Sequence, residues 1–260
     1  MPPERPARSG PAIVLRRWPW SESSLLLWVL TRDQGVLPLR ARGCHRLKSG
    51  QLGNLDTWAL VEIAWKPARQ KGHADRVHEL RRSRLLRRWS GLSRSPRHLA
   101  AAGILAELAE LAAPEGTPSG PVFRWLTRAF QELHDAPAAE RILLRRLLEG
   151  LELLGIAPDL AGLPAGEAAV LALARGRILA AGQARPEDHP RRLSPASLEL
   201  LRSLKALPPD RPTPLGSRRE RPEEELLTIL GDFLAWHLER PPRAWRYLKG
   251  AGRRPSIPTS

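Results

Sequence analysis

The sequence predicts a multidomain β + α protein: an N-terminal five-stranded OB-type barrel followed by an all-α helical domain. Two observations carry this. Between residues 12 and 89, runs of β-favouring residues are separated by Trp-Pro, Asp-Gln-Gly and Lys-Pro turn signals, whereas from Ser95 onward apolar residues recur at helical spacing behind recognisable start signals. A chain of 260 residues, 42% apolar and 27% charged, suits two modest domains of globular composition, with 26 prolines as breaks. The expected organisation is a flexible leader over 1–11, a barrel over 12–90, a helical domain over 91–249 and a flexible tail over 250–260.

In the first part, Ala12 to Arg17, Leu25 to Thr31 and Val36 to Arg42 have the spacing of an antiparallel meander. Leu37, Leu39 and Ala41 alternate with Pro38, Arg40 and Arg42, so the third strand turns its apolar set inward and two guanidiniums outward. Pro38 cannot donate to a ladder and marks an edge or a bulge. The run continues into a loop, Gly43 to Ser49, that adds Arg46 and Lys48. Leu52 to Trp65 resumes strand character, with Ala59, Val61, Ile63 and Trp65 on one face. Arg76 to Trp89 is ambiguous: RVHEL reads as a last strand closing the sheet, and SRLLRRW as the start of a helix.

The helical part begins at Ser95-Pro96, a capping hydroxyl before a proline at the first helical position, followed by Leu99, Ile104, Leu105, Leu108 and Leu111. Val122, Leu126, Ala129, Phe130 and Leu133 define a second helix. A third carries Leu144, Leu147, Leu148, Leu151 and Leu154 and is ended by Gly155. Two more are expected over Pro195 to Leu207, opened by Ser194, and over Pro222 to Leu238, whose first turn holds Glu223, Glu224 and Glu225 at the positive end of the helix dipole. Their apolar faces need one another for burial.

Charge is distributed unevenly. Residues 1–90 contain 18 Lys+Arg against 7 Asp+Glu, a net of +11, while the remaining 170 residues contain 24 against 20, a net of +4. A cation excess confined to the first third favours a polyanionic partner, nucleic acid ahead of a membrane, because no basic amphipathic helix accompanies it. The competing explanation is general over-use of Arg, 37 against 5 Lys, which does not account for the scarcity of acids there. One cysteine, Cys44, allows no intramolecular disulfide. The first residues have no apolar signal region, and the longest uninterrupted apolar run, Leu25 to Leu30, is far too short to span a bilayer, so a cytoplasmic protein is expected.

Features of catalysis are missing. There is no GxxxxGK[ST] or post-strand GxGxxG loop, and Ser21, Ser23 and Ser24 beside Glu22 lack a nucleophile elbow and read as a polar turn. Cys44 and His45 are adjacent on a strand-like segment and point apart. Glu107, Glu110 and the glutamates at 223–225 read as solvated helix faces. Neither catalytic residues nor a cofactor is expected.

Binding features are stronger. Arg16, Arg17, Arg40, Arg42, Arg46 and Lys48 form a candidate phosphate-contacting set, and Trp18 and Trp20 flank it, either as stacking platforms for unpaired bases or as an apolar plug over the barrel end. Arg81, Arg82, Arg84, Arg87 and Arg88 follow; on a helix Arg81, Arg84 and Arg88 share a face that either extends the cationic track or is plain solvated surface. No recognition helix appears, so little sequence preference is expected. In the third helix Leu144, Leu147 and Leu151 with Arg141, Arg145 and Arg146 make either an apolar groove with a basic rim for a protein partner or part of the core.

The same residues resemble a known family. Ala12-Ile13-Val14-Leu15, Glu22 before an apolar strand, Thr31 with Gly35, Arg42-Gly43 and Lys48-Ser49 are similar to the N-terminal pattern of the bacterial recombination mediator family RecO. Leu153 to Leu160 resembles its leucine-rich helix with a Gly-x-x-Pro-x-Leu turn, and Leu234 to Pro241 its C-terminal helix with a His-Leu-x-Arg-Pro ending. The resemblance implies an OB barrel and a non-enzymatic protein of recombinational repair in the bacterial nucleoid. It would bind single- and double-stranded DNA, anneal strands, take the C-terminal tail of single-stranded DNA-binding protein on its helical domain, and with RecR assist loading of RecA. Many members carry a four-cysteine zinc site after the Pro-Asp-Leu turn. Here 158–192 holds no cysteine, and Cys44, His73, His78 and His189 show no ligand spacing, so no metal is expected and this stretch would be held by packing alone, with partial mobility. Two other readings stay open: a helical adaptor that has lost DNA activity, and a generic OB-fold RNA-binding protein.

Overall fold

The computed structural model describes residues 6–44, 52–68, 77–160, 168–208, 211–214 and 221–250. Its first strands are β1 (Arg8–Ser21), β2 (Ser24–Thr31), β3 (Gly35–Ala41), β4 (Leu60–Lys66) and β5 (His78–Arg87). Then come helices α1 (Pro96–Ala112), α2 (Gly120–Asp135) and α3 (Glu140–Leu153), strands β6 (Ala169–Ala172), β7 (Arg177–Ala180) and β8 (Pro190–Leu193), and helices α4 (Pro195–Ala206), α5 (Arg221–His237) and α6 (Trp245–Gly250). Residues 1–90 with 109–127 form one compact unit, and 91–108 with 128–260 the other.

In the first unit the strands close a barrel in the order β1-β2-β3-β5-β4. All pairings are antiparallel except β3 with β5. The alternation in β3 is as expected, with Leu37, Leu39 and Ala41 inside beside Val14, Leu27, Val61 and Ile63. β5 meets β3 only at residues 39–41, so Pro38 sits where that flank of β3 is open. β1 begins at Arg8: residues 8–11, expected in a flexible leader, pair with Glu62 to Trp65 of β4. The β2–β3 turn explains the Thr31 and Gly35 pair. Thr31 Oγ1 donates to Gly35 O at 2.9 Å, and Gly35 has a φ of +63°. Segment 113–119 is stitched to the same turn by Val36 N–H to Ala113 O at 2.9 Å and Ser119 N–H to Arg32 O at 2.9 Å.

The ambiguous stretch resolves as strand. β5 carries two extra residues relative to β4: the register skips Arg81 between Leu80 and Arg82, and Leu86 between Leu85 and Arg87. Each skip restarts the alternation, so Leu80, Ser83 and Leu85 turn inward at spacings of three and two residues, which hides the strand period.

The second unit buries Leu143, Leu144, Leu147 and Leu151 of α3 with Leu198 and Leu201 of α4 and Leu230, Phe233 and Leu234 of α5. Ser194 caps α4 as expected, accepting from Ser197 N–H at 3.2 Å. Gly155, with φ +73°, follows the end of α3. Leu99 and Leu111, read as core, are exposed, and Ala101, Ala102, Ala106 and Ala109 fill the buried face of α1 instead.

The glutamates read as solvated have partners. Glu223 is buried against Arg141, Glu225 accepts from Ser194 N–H at 2.7 Å, and Glu110 pairs with Arg16. Beyond the expected helices, residues 168–193 hold a three-stranded sheet in the order β7-β6-β8. Val170, Ala172 and Leu179 form its small core, so this stretch is held by a hydrogen-bonded ladder as well as by packing.

Candidate nucleic-acid interface

Because Leu25 and Leu27 point into the barrel, Leu26 points out, and the register carries this outward row across four strands: Trp18 opposite Leu26, Leu26 opposite Arg40, Arg40 opposite Glu79. The adjacent row is Arg16, Trp28 and Pro38. Trp18 and Trp28 meet edge to face with centroids 5.2 Å apart, leaving Trp18 39% exposed. Neither Trp18 nor Trp20 belongs to the interior cluster, and Trp20 is the more exposed of the two.

The outer face continues over β5 and β4. Arg82 lies opposite Ala64, Arg84 opposite Glu62 and Arg87 opposite Leu60, all exposed arginines on the outward side. Among the described residues, Arg82, Arg84 and Arg87 have no ion-pair partner. Arg42 and Arg81 bracket Glu79 at 3.8 and 3.2 Å. Their side chains are 60% and 52% exposed, so these pairs are worth about 0–1 kcal/mol each. Arg40 is half-buried, and its Nε is buried with no hydrogen-bond partner.

The set read from sequence is thus divided. Arg16, Trp18, Arg40, Arg42, Arg81 and Arg84 share the outer face. Arg17 does not, because its partner Leu27 faces the interior. It instead meets Asp56 at 3.0 Å at the barrel end, where Arg88 reaches the same carboxylate at 2.7 Å. The helical face of Arg81, Arg84 and Arg88 does not form, since β5 is a strand and Arg88 lies past its end. Beside this cluster Trp58 has a φ of 66°, uncommon for a bulky residue, with its N–H on Val14 O at 2.6 Å. Arg46 and Lys48 lie outside the described residues. Arg82 and Arg87, which no strand alternation in the sequence isolates, join the face through the two skips in β5.

The α3 set also needs correction. Leu144, Leu147 and Leu151 are fully buried, and Arg145 and Arg146 are 1% and 0% exposed, so they form no groove with a basic rim. Arg146 pairs with Glu132 and Glu149. Arg145 donates to Pro208 O at 2.7 Å and Thr213 Oγ1 at 3.2 Å, and Thr213 in turn donates to Glu132 at 2.8 Å. Burial, and next the Arg146 charge, lower the Arg145 pKa. Arg141 pairs with the buried Glu223 at 2.7 Å.

A model of the recombination protein O N-terminal domain matches residues 8–84, and one of the C-terminal domain matches residues 93–246. The chain belongs to the RecO family. A curated relative named DNA repair protein RecO from Desulforudis audaxviator is 28% identical over 93% of this chain and 96% of its own length. Those from Rhodopirellula baltica and a Synechococcus strain, with the same name, are 32% and 30% identical over 56% of the chain. These two alignments span 53% and 51%, about half, of the relatives' length. The family is one of DNA repair and recombination, and the outer barrel face belongs to its N-terminal domain.

The zinc ligands that the RecO resemblance would bring do not fit this chain. Its one cysteine, Cys44, is buried in the barrel, and among the described residues no group of three or more His, Cys, Asp or Glu is placed to hold a metal ion. Where the site would fall, Asp188 organises the turns. It accepts from Arg175 Nε at 2.7 Å and from the Arg185 N–H at 2.8 Å. The Arg185 N–H, and secondly the Arg175 guanidinium, hold its carboxyl below the ordinary value against the opposing effect of burial. Among the described residues no helix is long and apolar enough to cross a membrane.

Proposed function

We propose that this RecO-family chain is a non-enzymatic mediator of recombinational DNA repair that holds single- and double-stranded DNA on the outer barrel face. The observation that carries this reading is the outward set Arg40, Arg42, Arg81, Arg82, Arg84 and Arg87, interrupted among the described residues of these strands by two acids, Glu62 and Glu79. Guanidiniums in exposed, weakly paired positions exchange a carboxylate for phosphate oxygens at little cost, and release of counterions from the nucleic acid drives the exchange. Trp18, exposed in the same outward row as Arg40 with Leu26 between them, offers an indole face to an unpaired base.

Two strands bound on such a face have their mutual repulsion screened, which favours annealing. The proposal extends to RecR, the C-terminal tail of single-stranded DNA-binding protein and, indirectly, RecA as partners at the bacterial nucleoid, as the family resemblance implies. The buried α3 set is not the surface for that tail.

The test is annealing of complementary strands coated with the cognate single-stranded DNA-binding protein, together with the salt dependence of DNA affinity. If four arginines of the face neutralise phosphates, the log–log slope on duplex is about −3.6 and on single strands about −2.8. The R82E/R84E variant should lose annealing and flatten the duplex slope by about 2. An unchanged slope and rate in that variant would refute the assignment of the face.

A further inference from the structure

The second unit carries an aromatic and cationic surface of its own, built where the zinc ligands are missing. Residues 168–193 hold Arg175, Arg177, Arg185, Arg191 and Arg192 against two acids, Glu187 and Asp188. Asp188 is buried, and its carboxylate is consumed by Arg175 Nε and the Arg185 N–H. The pin fixes Arg175 through Nε alone and leaves its terminal amino groups for another acceptor, with the side chain 43% exposed.

The next residue, His189, is held in the left-handed region with φ 49°. That turn lays its ring over Trp236 at the end of α5, with centroids 4.4 Å apart and a 40° tilt. Trp236 remains 47% exposed. One helical turn earlier, Asp232 takes Arg191 Nε at 2.6 Å and fixes β8 to α5 beneath the aromatic pair. The indole is therefore backed by a ring that directly follows the carboxylate pinning Arg175, is anchored below and is open to solvent.

We infer that Trp236, His189 and Arg175 form a second contact for single-stranded DNA, separate from the barrel face: an unpaired base stacks on Trp236 and its phosphate meets Arg175. A base presents a π-face of any sequence to the indole, and the excess of guanidiniums suits the phosphate and repels a basic partner. A duplex hides its base faces, so this contact selects single strands and gives the molecule two grips of different kinds.

The test uses the full chain. Wild type and a barrel-face variant, R40E/R84E, are photo-crosslinked to a short oligothymidylate carrying 5-iododeoxyuridine, and the adducts are mapped. Binding of the same oligomer is followed by anisotropy in the R40E/R84E background with and without W236A or W236F. The expected result is adducts on Trp236 or His189 in both proteins. In that background W236A should weaken binding about 5- to 100-fold while W236F stays close to its parent. Adducts confined to the barrel, or W236A binding as its parent does, would overturn the inference, and the wild-type map decides even where W236A lowers stability. Wild-type affinity in R40E/R84E would instead count against the barrel reading, a separable failure.

Discussion

Removing Glu132 tests the reading of Arg145 and Arg146 as core rather than rim. Arg146 is 0% exposed, and Glu132 is the partner it does not share with Arg145; Glu149 takes charge from both. In E132A, Arg146 keeps half its compensation and the Thr213 hydroxyl loses its acceptor. Breaking a buried pair from one side costs about 3–5 kcal/mol, because the remaining charge stays in the dry interior. For a unit of this size each kcal/mol lowers the melting temperature by about 2–4 °C, so a fall of about 6–20 °C is expected by far-UV circular dichroism. Replacing both partners, as in E132L/R146M, should cost clearly less than E132A, since no charge is left uncompensated. A melting temperature within about 2 °C of wild type for E132A would refute the reasoning and mean that water reaches Arg146.

Two further outcomes follow from the fold. Burial raises the Glu225 carboxyl, but hydrogen bonds from the Ser194 side chain, the Ser194 N–H and Ser197 outweigh it, leaving a pKa below the ordinary 4.5. A depressed folded pKa means stability that is complete above the unfolded value and lost as pH falls through the folded one. E225Q should therefore melt lower than wild type at neutral pH and lose less on acidification below about pH 5, as a pH series of thermal melts would record. In G35A a Cβ would stand 2.7 Å from Ala113 O and closer still to Pro114 O, on a backbone with φ +63°. A loss of about 1–3 kcal/mol in chemical denaturation is expected, and a neutral result would mean that segment 113–119 yields easily.

What the sequence shows plainly is what local chemistry decides. The alternation of Leu37, Leu39 and Ala41 with Pro38 and Arg40 fixes the inside of β3, and the Ser194 hydroxyl fixes the start of α4, because each depends on residues two or three positions apart. β5 is obscured by its two skips. Leu80, Ser83 and Leu85 recur at 3 and 2, which no single period describes, and the parallel pairing with β3 joins residues nearly 40 positions apart. The α3 arginines mislead for a related reason: charge predicts exposure unless a partner is known. Glu132 lies on the preceding helix and the Thr213 hydroxyl 68 residues away. β6, β7 and β8 have four residues each, too few for a pattern to rise above an Ala- and Leu-rich background.

The skips in β5 also bear on function. A regular strand of the same composition would alternate its arginines between the two faces and drive some of them into the barrel, where an unpaired guanidinium is prohibitively costly. With one residue skipped at Arg81 and another at Leu86, Arg82, Arg84 and Arg87 all face outward while Leu80, Ser83 and Leu85 stay inside. The outward charges then repel one another, and Glu79 and Glu62, opposite Arg40 and Arg84, offset part of that cost. Since exposed pairs contribute little, the free protein folds with the face partly neutralised, and under the proposed function a phosphate backbone that brings many charges at once would displace them. The same irregularity that conceals β5 in the sequence concentrates its cations on one side of the sheet.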